Sequence, residues 1–328
     1  MLEALMDRNF SHSTFVFRGF PALQQHRRLL ALPFCASYLT MLLGNSVLVY
    51  VICSVASLHS PMYLLICMLC VVNVLGATGI IPNMLLNLLF GWDQISLAGC
   101  LAQMFFTHFL SSLESTLLLA MALDRYVAIC QPLRYGEIIN SSMLTKLLLF
   151  TLARSGSIMA TLVALARSLR FCGSNTIRHC YCDHMALVSL ACDSTERNYV
   201  VGLAVIICFV AVDTPIIFFT YMKILSVVMQ ASEASEDRWK AFHTCGTHLM
   251  VIMCFYLVGS VSFLSPSLNI AIPTDANTFM GLMYILLPAT VNPVIYGVRT
   301  KEIRNGFLRI IKKKMTVKVS PAGKGSNM

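Results

Sequence analysis

In "MALDRYVAICQPLRY" (residues 121–135) Asp124 and Arg125 stand side by side at the end of a long apolar run. A carboxylate beside a guanidinium lowers the cost of holding either charge where solvation is poor. Glu114 lies eleven residues earlier, and eleven helical steps of about 100° return to nearly the same face about three turns away. Thr107, His108, Ser111, Ser112 and Ser115 follow one another at three- and four-residue spacings. Such a column can hydrogen-bond a small ligand, or it can join helices in a bundle at on the order of 1 kcal/mol per contact. Four cysteines, Cys172, Cys180, Cys182 and Cys192, crowd one polar segment, with Cys100 at the start of an apolar run. In an oxidising compartment they would form disulfides. A metal site using "CYC" with His179 or His184 lacks a second ligand pair at zinc spacing, and His243 and His248 in "HTCGTH" are poorly spaced for one ion. No H-E-x-x-H, G-x-S-x-G or facing pair of aspartates is present, so catalysis has no evident home and no enzyme or cofactor is expected.

The elements that must position these residues follow from composition. Of 328 residues only 12% are charged and 57% are hydrophobic. A water-soluble domain of this size would need a charged surface, so the bilayer is the expected solvent. Seven apolar runs can each cross about 30 Å of hydrocarbon: residues 29–55, 61–89, 97–123, 144–166, 199–227, 241–265 and 273–297. Asp213 and Pro215 make the fifth the weakest, although proline is tolerated where neighbouring helices satisfy the freed backbone. The expected fold is an all-α membrane protein, a seven-transmembrane helix bundle. The first crossing is read as the insertion signal, because "MLEALMDRNFSHSTF" has no basic start followed by an apolar core.

With the amino terminus outside, fifteen lysines and arginines fall on the cytoplasmic side against eight outside, and Arg154 stays within a crossing. The net charge of +9 therefore reads as topology and contact with anionic lipid rather than nucleic acid. This orientation exposes the acceptor Asn9-Phe10-Ser11 to glycosylation and leaves Asn140-Ser141-Ser142 bare. After residue 297, Ile303, Phe307, Ile310 and Ile311 share roughly one helical face among basic residues, giving a short amphipathic cytoplasmic helix beneath the bilayer. The expected division is an extracellular segment over residues 1–28, a seven-transmembrane bundle over 29–297, the amphipathic helix over 298–314 and a flexible tail over 315–328.

Several strings in order resemble one family. "DRY" at the inner end of the third crossing looks like a rhodopsin-like G-protein-coupled receptor. Gly44-Asn45, "HSPMY" (59–63), "MALDRYVAICQPLRY", "KAFHTCGTH" (240–248) and "NPVIYG" (292–297) are similar to odorant receptors. "SLEST" (112–116) and "YGVRTKEIR" (296–304) resemble the class I, fish-like branch. The likeness spans roughly residues 9–314.

The resemblance implies a plasma-membrane receptor. It would bind a small volatile odorant, a carboxylic acid or another polar short aliphatic, and activate a heterotrimeric stimulatory olfactory-type G protein to raise cyclic AMP. It implies disulfides Cys100 to Cys182 and Cys172 to Cys192, leaving Cys180 as a free thiol or as a competitor for Cys100. It places His108 in the ligand pocket beside Ser111 and Ser112, with Val205, Ile206, Tyr256, Gly259, Ser260, Phe263, Leu282 and Ile285 as further wall positions. Arg125, held at rest by Asp124, would be released to open a cleft for the G protein, with Tyr126, Tyr221, Lys240, Asn292, Pro293 and Tyr296 in the same switch. Asn45, Asn73, Glu114 and Asn292 form a candidate sodium site, weakened because Asn73 stands where the family usually has aspartate. No lysine or arginine occurs between Lys240 and Arg299, so an acid ligand would need His108 or one of Arg167, Arg170 and Arg178, and alcohols, ketones or esters are expected on an equal footing with acids. A transporter would instead show inverted repeats or several aligned intramembrane charges; none is apparent.

Overall fold

The computed structural model describes residues 11–231, 245–246, 248–253, 255–260 and 272–319, without the side chains of residues 210, 231 and 313–319. Asn9, Lys240 and Phe263 lie outside the described residues. The first span is α1 (Arg27–Ser54). The second is divided into α2 (Pro61–Thr78) and α3 (Ile81–Phe90). The third span is α4 (Leu97–Cys130), followed by the single turn α5 (Tyr135–Ile138) and the fourth span α6 (Ser141–Arg167). A short α7 (His184–Val188) precedes the fifth span α8 (Glu196–Ala231). The sixth is represented by the shorter apolar stretch α9 (His248–Ser260), and the seventh is α10 (Thr274–Arg299). The last helix is α11 (Lys301–Val319).

The spans reverse the burial pattern of a water-soluble protein. Leu32 and Leu43 are 66% and 68% exposed while Asn45, on the same helix, is fully buried. Asn73, Asp124, Asp213 and Asn292 are buried as well. Apolar side chains outward and polar ones inward is the arrangement hydrocarbon favours, because each buried polar group must find its partner inside the bundle.

One such pairing fixes the first span against the seventh. Pro293 has no N–H, so the carbonyl of Ala289, four residues before it, loses its helical donor. Asn45 Nδ2 donates to that carbonyl at 2.8 Å and to Met41 O at 2.8 Å. The approach is close at Gly44, where a Cβ would stand 3.0 Å from Pro293 Cγ and would press on the proline ring.

The second span differs from the single run expected over residues 61–89. It breaks at Gly79 and Ile80, and Pro82 opens the next helix, where its missing N–H is harmless. The fifth span, the weakest by sequence, is one helix of 36 residues with Pro215 inside it. Asn140 caps α6 by accepting from Met143 N at 2.9 Å and donating to Glu137 O at 2.8 Å. In α11, Ile303 is buried and Ile310 packs on the core, whereas Phe307 and Ile311 are exposed. The four lie within about 100° of one another around the helix, the 303 and 310 side of that face meeting the bundle and the 307 and 311 side lying outside it.

The sequence reading contains no strand, yet a three-stranded sheet covers one end of the bundle. β1 (Thr14–Phe17) pairs antiparallel with β2 (Gln94–Ser96) and parallel with β3 (Thr176–Ile177), in the order β2-β1-β3. Its strands are two to four residues long, too short for alternation to be recognised. At the same end Cys100 is bonded to Cys182, with Cα atoms 5.3 Å apart, and Cys172 to Cys192, with Cα atoms 5.9 Å apart. Cys180 is a buried free thiol that burial pushes up to about 12. A side chain at Gly19 would collide with its sulfur.

A membrane-impermeant maleimide should therefore leave Cys180 unlabelled in the folded protein and modify it after denaturation. Peptide mapping should recover the Cys100–Cys182 and Cys172–Cys192 cross-links, and a Cys100–Cys180 peptide would contradict this pairing.

Candidate functional site

Beneath the disulfide-bearing end the bundle holds a cavity of about 130 Å³. The third span supplies His108, Ser111, Ser112 and Ser115, which its three- and four-residue spacing turns to one side. Val205, Ile206 and Phe209 come from the fifth span, and Met159 and Leu162 from the fourth. Phe255, Tyr256, Gly259 and Ser260 come from α9, and Tyr284 from the seventh span. Gly259 is where Tyr284 approaches most closely, since a Cβ there would stand 2.7 Å from the ring. The roof is the start of α7. Asp183 Oδ2 accepts from Met185 N at 3.0 Å and Ala186 N at 3.2 Å, and Asp183 lines the cavity with His184 and Met185. Burial first and the neighbouring His108 second push the His184 pKa below its ordinary value. His179, buried beside Tyr181 with ring centroids 4.2 Å apart, is pushed down by burial to about 4.

The floor is a polar knot. Ser115 Oγ donates to Asp213 Oδ2 at 2.5 Å and lies 2.8 Å from the Tyr256 hydroxyl, which is itself 3.3 Å from the same carboxylate oxygen. Third span, fifth span and α9 are thus joined through one buried acid. Arg154 lies over the Phe209 ring, 4.6 Å from its centroid.

Eight of the eleven wall positions expected from sequence line this cavity. Leu282 and Ile285 do not. Leu282 is fully buried against Phe20, Phe34 and Ile81, and Ile285 lines a second, smaller cavity. Helical geometry explains this, since turning 282, 286 and 289 toward the first and second spans leaves Tyr284 to face the larger cavity. The smaller cavity, about 20 Å³, has Asn73, Thr107, Ser111, Glu114 and Tyr284 in its wall. Asn45 and Asn292 are not among its lining residues, so the structure brings together two of the four residues considered for sodium.

At the opposite end Arg125 Nη2 lies 3.0 Å from Asp124 Oδ2, the aspartate buried and the arginine a quarter exposed. Tyr135, from α5, donates its hydroxyl to Asp124 Oδ1 at 2.7 Å. Burial and the Asp124 carboxylate push the Tyr135 pKa up, so the phenol stays protonated and able to donate. Tyr126 is partly buried against the core. Tyr221, Asn292, Pro293 and Tyr296 are buried near it, and the hydroxyls of Tyr221 and Tyr296 meet no hydrogen-bond partner among the described residues. The ring of His248 stands 5.6 Å from that of Tyr296.

Sequence reasoning missed Tyr135, Tyr284, Phe209 and the roof pair Asp183-His184, and it treated Asp213 as a stray charge. Asp213 carried a signal in being an acid inside an apolar run. Tyr135 carried none, because a loop folds it back onto Asp124.

A family profile described as "Olfactory receptor" matches residues 34–314. The chain belongs to the olfactory receptor family. It is 38% identical over 312 residues to human olfactory receptor 52D1, covering 95% of this chain and 98% of that one. It is 39% identical over 306 residues to mouse olfactory receptor 51E2, covering 93% and 95%. These relatives place it in the class I branch. The structure also resembles the crystal structure of squid rhodopsin, with a TM-score of 0.69 at 17% identity, covering 90% of this chain and 87% of that one. That likeness establishes the seven-transmembrane fold. This olfactory receptor is a multi-pass membrane protein and not an enzyme.

Ser115→Ala removes one of the two hydroxyl donors to the Asp213 carboxylate. The expected loss is about 1–3 kcal/mol of stability, read as a lower melting temperature of detergent-solubilised receptor. An unchanged melting temperature would mean that the knot contributes nothing to holding the spans.

Proposed function

We propose that this olfactory receptor binds a small volatile molecule in the larger cavity and activates a heterotrimeric stimulatory olfactory-type G protein, raising cyclic AMP. It works in the plasma membrane with residues 1–28 extracellular and the segments after residue 297, an amphipathic helix over 298–314 and a tail over 315–328, cytoplasmic. The observation that carries this reading is that cavity and ion pair occupy opposite ends of one helix. His108 and Arg125 both belong to α4, seventeen residues or about 25 Å apart.

The volatile fills space among the third, fourth, fifth and sixth spans directly above the Ser115–Asp213–Tyr256 knot. Its apolar body gains from burial, and a few hydroxyls and imidazoles fix its orientation. A rearrangement of the knot moves α9 relative to α4, and at the far end Arg125 exchanges Asp124 for other partners. Candidates are the Tyr221 and Tyr296 hydroxyls, which have no hydrogen-bond partner among the described residues in the present arrangement. The freed end then admits the G protein. The ligand shifts the balance only by its differential affinity for the two arrangements, and about 5.5 kcal/mol is needed to carry it from one extreme to the other.

Sodium fits part of its expected site. Asn73 Oδ1 and one oxygen of Glu114 are buried without partners among the described residues and share a cavity with Thr107 and Ser111, all oxygen donors of the kind a hard cation takes. Asn73 and Glu114 would hold the ion, and its charge there would favour the resting arrangement.

In reporter cells given an odorant panel, Arg125→Ala should leave surface expression measurable and reduce the cyclic-AMP response at least about tenfold. His108→Ala should reorder the potencies of the panel. Wild-type responses from Arg125→Ala would overturn the switch, and an unchanged ranking from His108→Ala would remove the cavity from ligand recognition. Replacing external sodium by a large organic cation should raise basal signalling of the wild type and leave Glu114→Gln unaffected; equal sensitivity of both would exclude the ion from this cavity.

A further inference from the structure

The charge lining the larger cavity is one-sided. Among its described wall residues Asp183 is the single carboxylate, and no lysine or arginine appears. None can come from the sixth or seventh span, since the sequence has no lysine or arginine between Lys240 and Arg299. Arg167 and Arg178 are exposed. Arg170 is exposed too, and forks onto Asp193 with Nη2 2.5 Å and Nε 3.0 Å from Oδ1. Arg154 lies over Phe209 and is not a wall residue. His184 is held neutral by burial and by the neighbouring imidazole of His108, so it supplies no standing positive charge.

Two backbone N–H groups at the start of α7 hold the Asp183 Oδ2 and favour its orientation toward the cavity. A carboxylate guest would lose its hydration, meet no cation and face a fixed anion. An alcohol would meet none of this: its hydroxyl can donate to the roof carboxylate or an imidazole nitrogen and accept from a serine, while its chain covers the apolar wall.

We infer that Asp183 determines the ligand class of this cavity, admitting uncharged oxygenated aliphatics, alcohols foremost, and turning away carboxylates. The inference rests on the ligand-binding reading given above and narrows it. It sets aside the acid ligand that class I resemblance had favoured, because no loop arginine lines the cavity and the imidazoles of His108 and His184 are the only basic side chains among its described wall residues.

The test compares pentanol through nonanol with the matching n-alkanoic acids at neutral pH, by cyclic-AMP response in cells and by thermal stabilisation of purified receptor in lipid nanodiscs. In the wild type the best alcohol should act at a concentration on the order of tenfold or more below its matched acid. Asp183→Asn keeps a side-chain oxygen able to cap α7 while removing the charge. It should improve the acids by about tenfold and move the alcohols by less than about threefold. Asp183→Ser, also a good cap, serves the same comparison should the asparagine variant fail to reach the membrane. Acids equal to alcohols in the wild type, an unchanged ratio in a folded neutral variant, or stabilisation by neither series would each overturn the inference. Stabilisation by alcohols without a cyclic-AMP response would leave it standing and refute the signalling reading instead.

Discussion

In hydrocarbon a backbone carbonyl that loses its helical donor has no water to turn to. Pro293 creates such a carbonyl at Ala289, and Asn45 satisfies it from across the bundle. Removing the asparagine would expose a polar group whose desolvation costs more than an ordinary hydrogen bond yields. The first and seventh spans are therefore held in register by geometry that lipid-facing packing alone could not specify, since a leucine is as comfortable against lipid as against another leucine. Gly44 belongs to the same device, because a side chain there would press on the Pro293 ring at the point where the two spans approach. The Ser115–Asp213–Tyr256 contacts apply this logic to three more spans, with a carboxylate as the shared acceptor.

The two ends of the bundle are restrained differently. At one, two disulfides, a three-stranded sheet and a capped turn fix the roof over the cavity. At the other, the third span is restrained by an ion pair and one phenolic hydroxyl around Asp124. A covalent clamp cannot be rearranged by a small guest, whereas non-covalent contacts worth a few kcal/mol can. In the proposed mechanism the asymmetry sets the direction of change: the guest binds under a rigid lid, and the response appears where restraint is weakest.

Much of this was legible in the sequence because hydrophobic length is a strong signal. The crossings, the adjacent Asp124 and Arg125, and the His108 to Ser115 column all followed from local spacing. What escaped depended on partners distant in the chain. The sheet unites residues near 15, 95 and 176, each strand too short to declare itself. Tyr135 reaches Asp124 only because the chain turns at Pro132. Leu282 and Ile285 do not line the larger cavity; the seventh span is apolar on several faces, and hydropathy cannot say which one meets the first and second spans.

Glu114 and Asp213 show how one residue type serves two ends in the same medium. Both are acids deep in the bundle. Asp213 is ringed by a serine and a tyrosine that donate to it, and acts as a structural acceptor tying spans together. Glu114 keeps one oxygen without a partner among the described residues, beside an asparagine in the same condition, in a cavity small enough for an ion or a water. A satisfied buried acid contributes to a single arrangement, while an unsatisfied one leaves energy to be gained by whatever completes it. Among the described residues, buried polar groups left incomplete occur at the roof, as at His179, Asn198 and Asp275, and also deep in the bundle, at Asn73, Glu114, Asn292, Tyr221 and Tyr296. A bundle that must adopt two arrangements cannot perfect its polar contacts in either, so function is expected where hydrogen bonding is least complete.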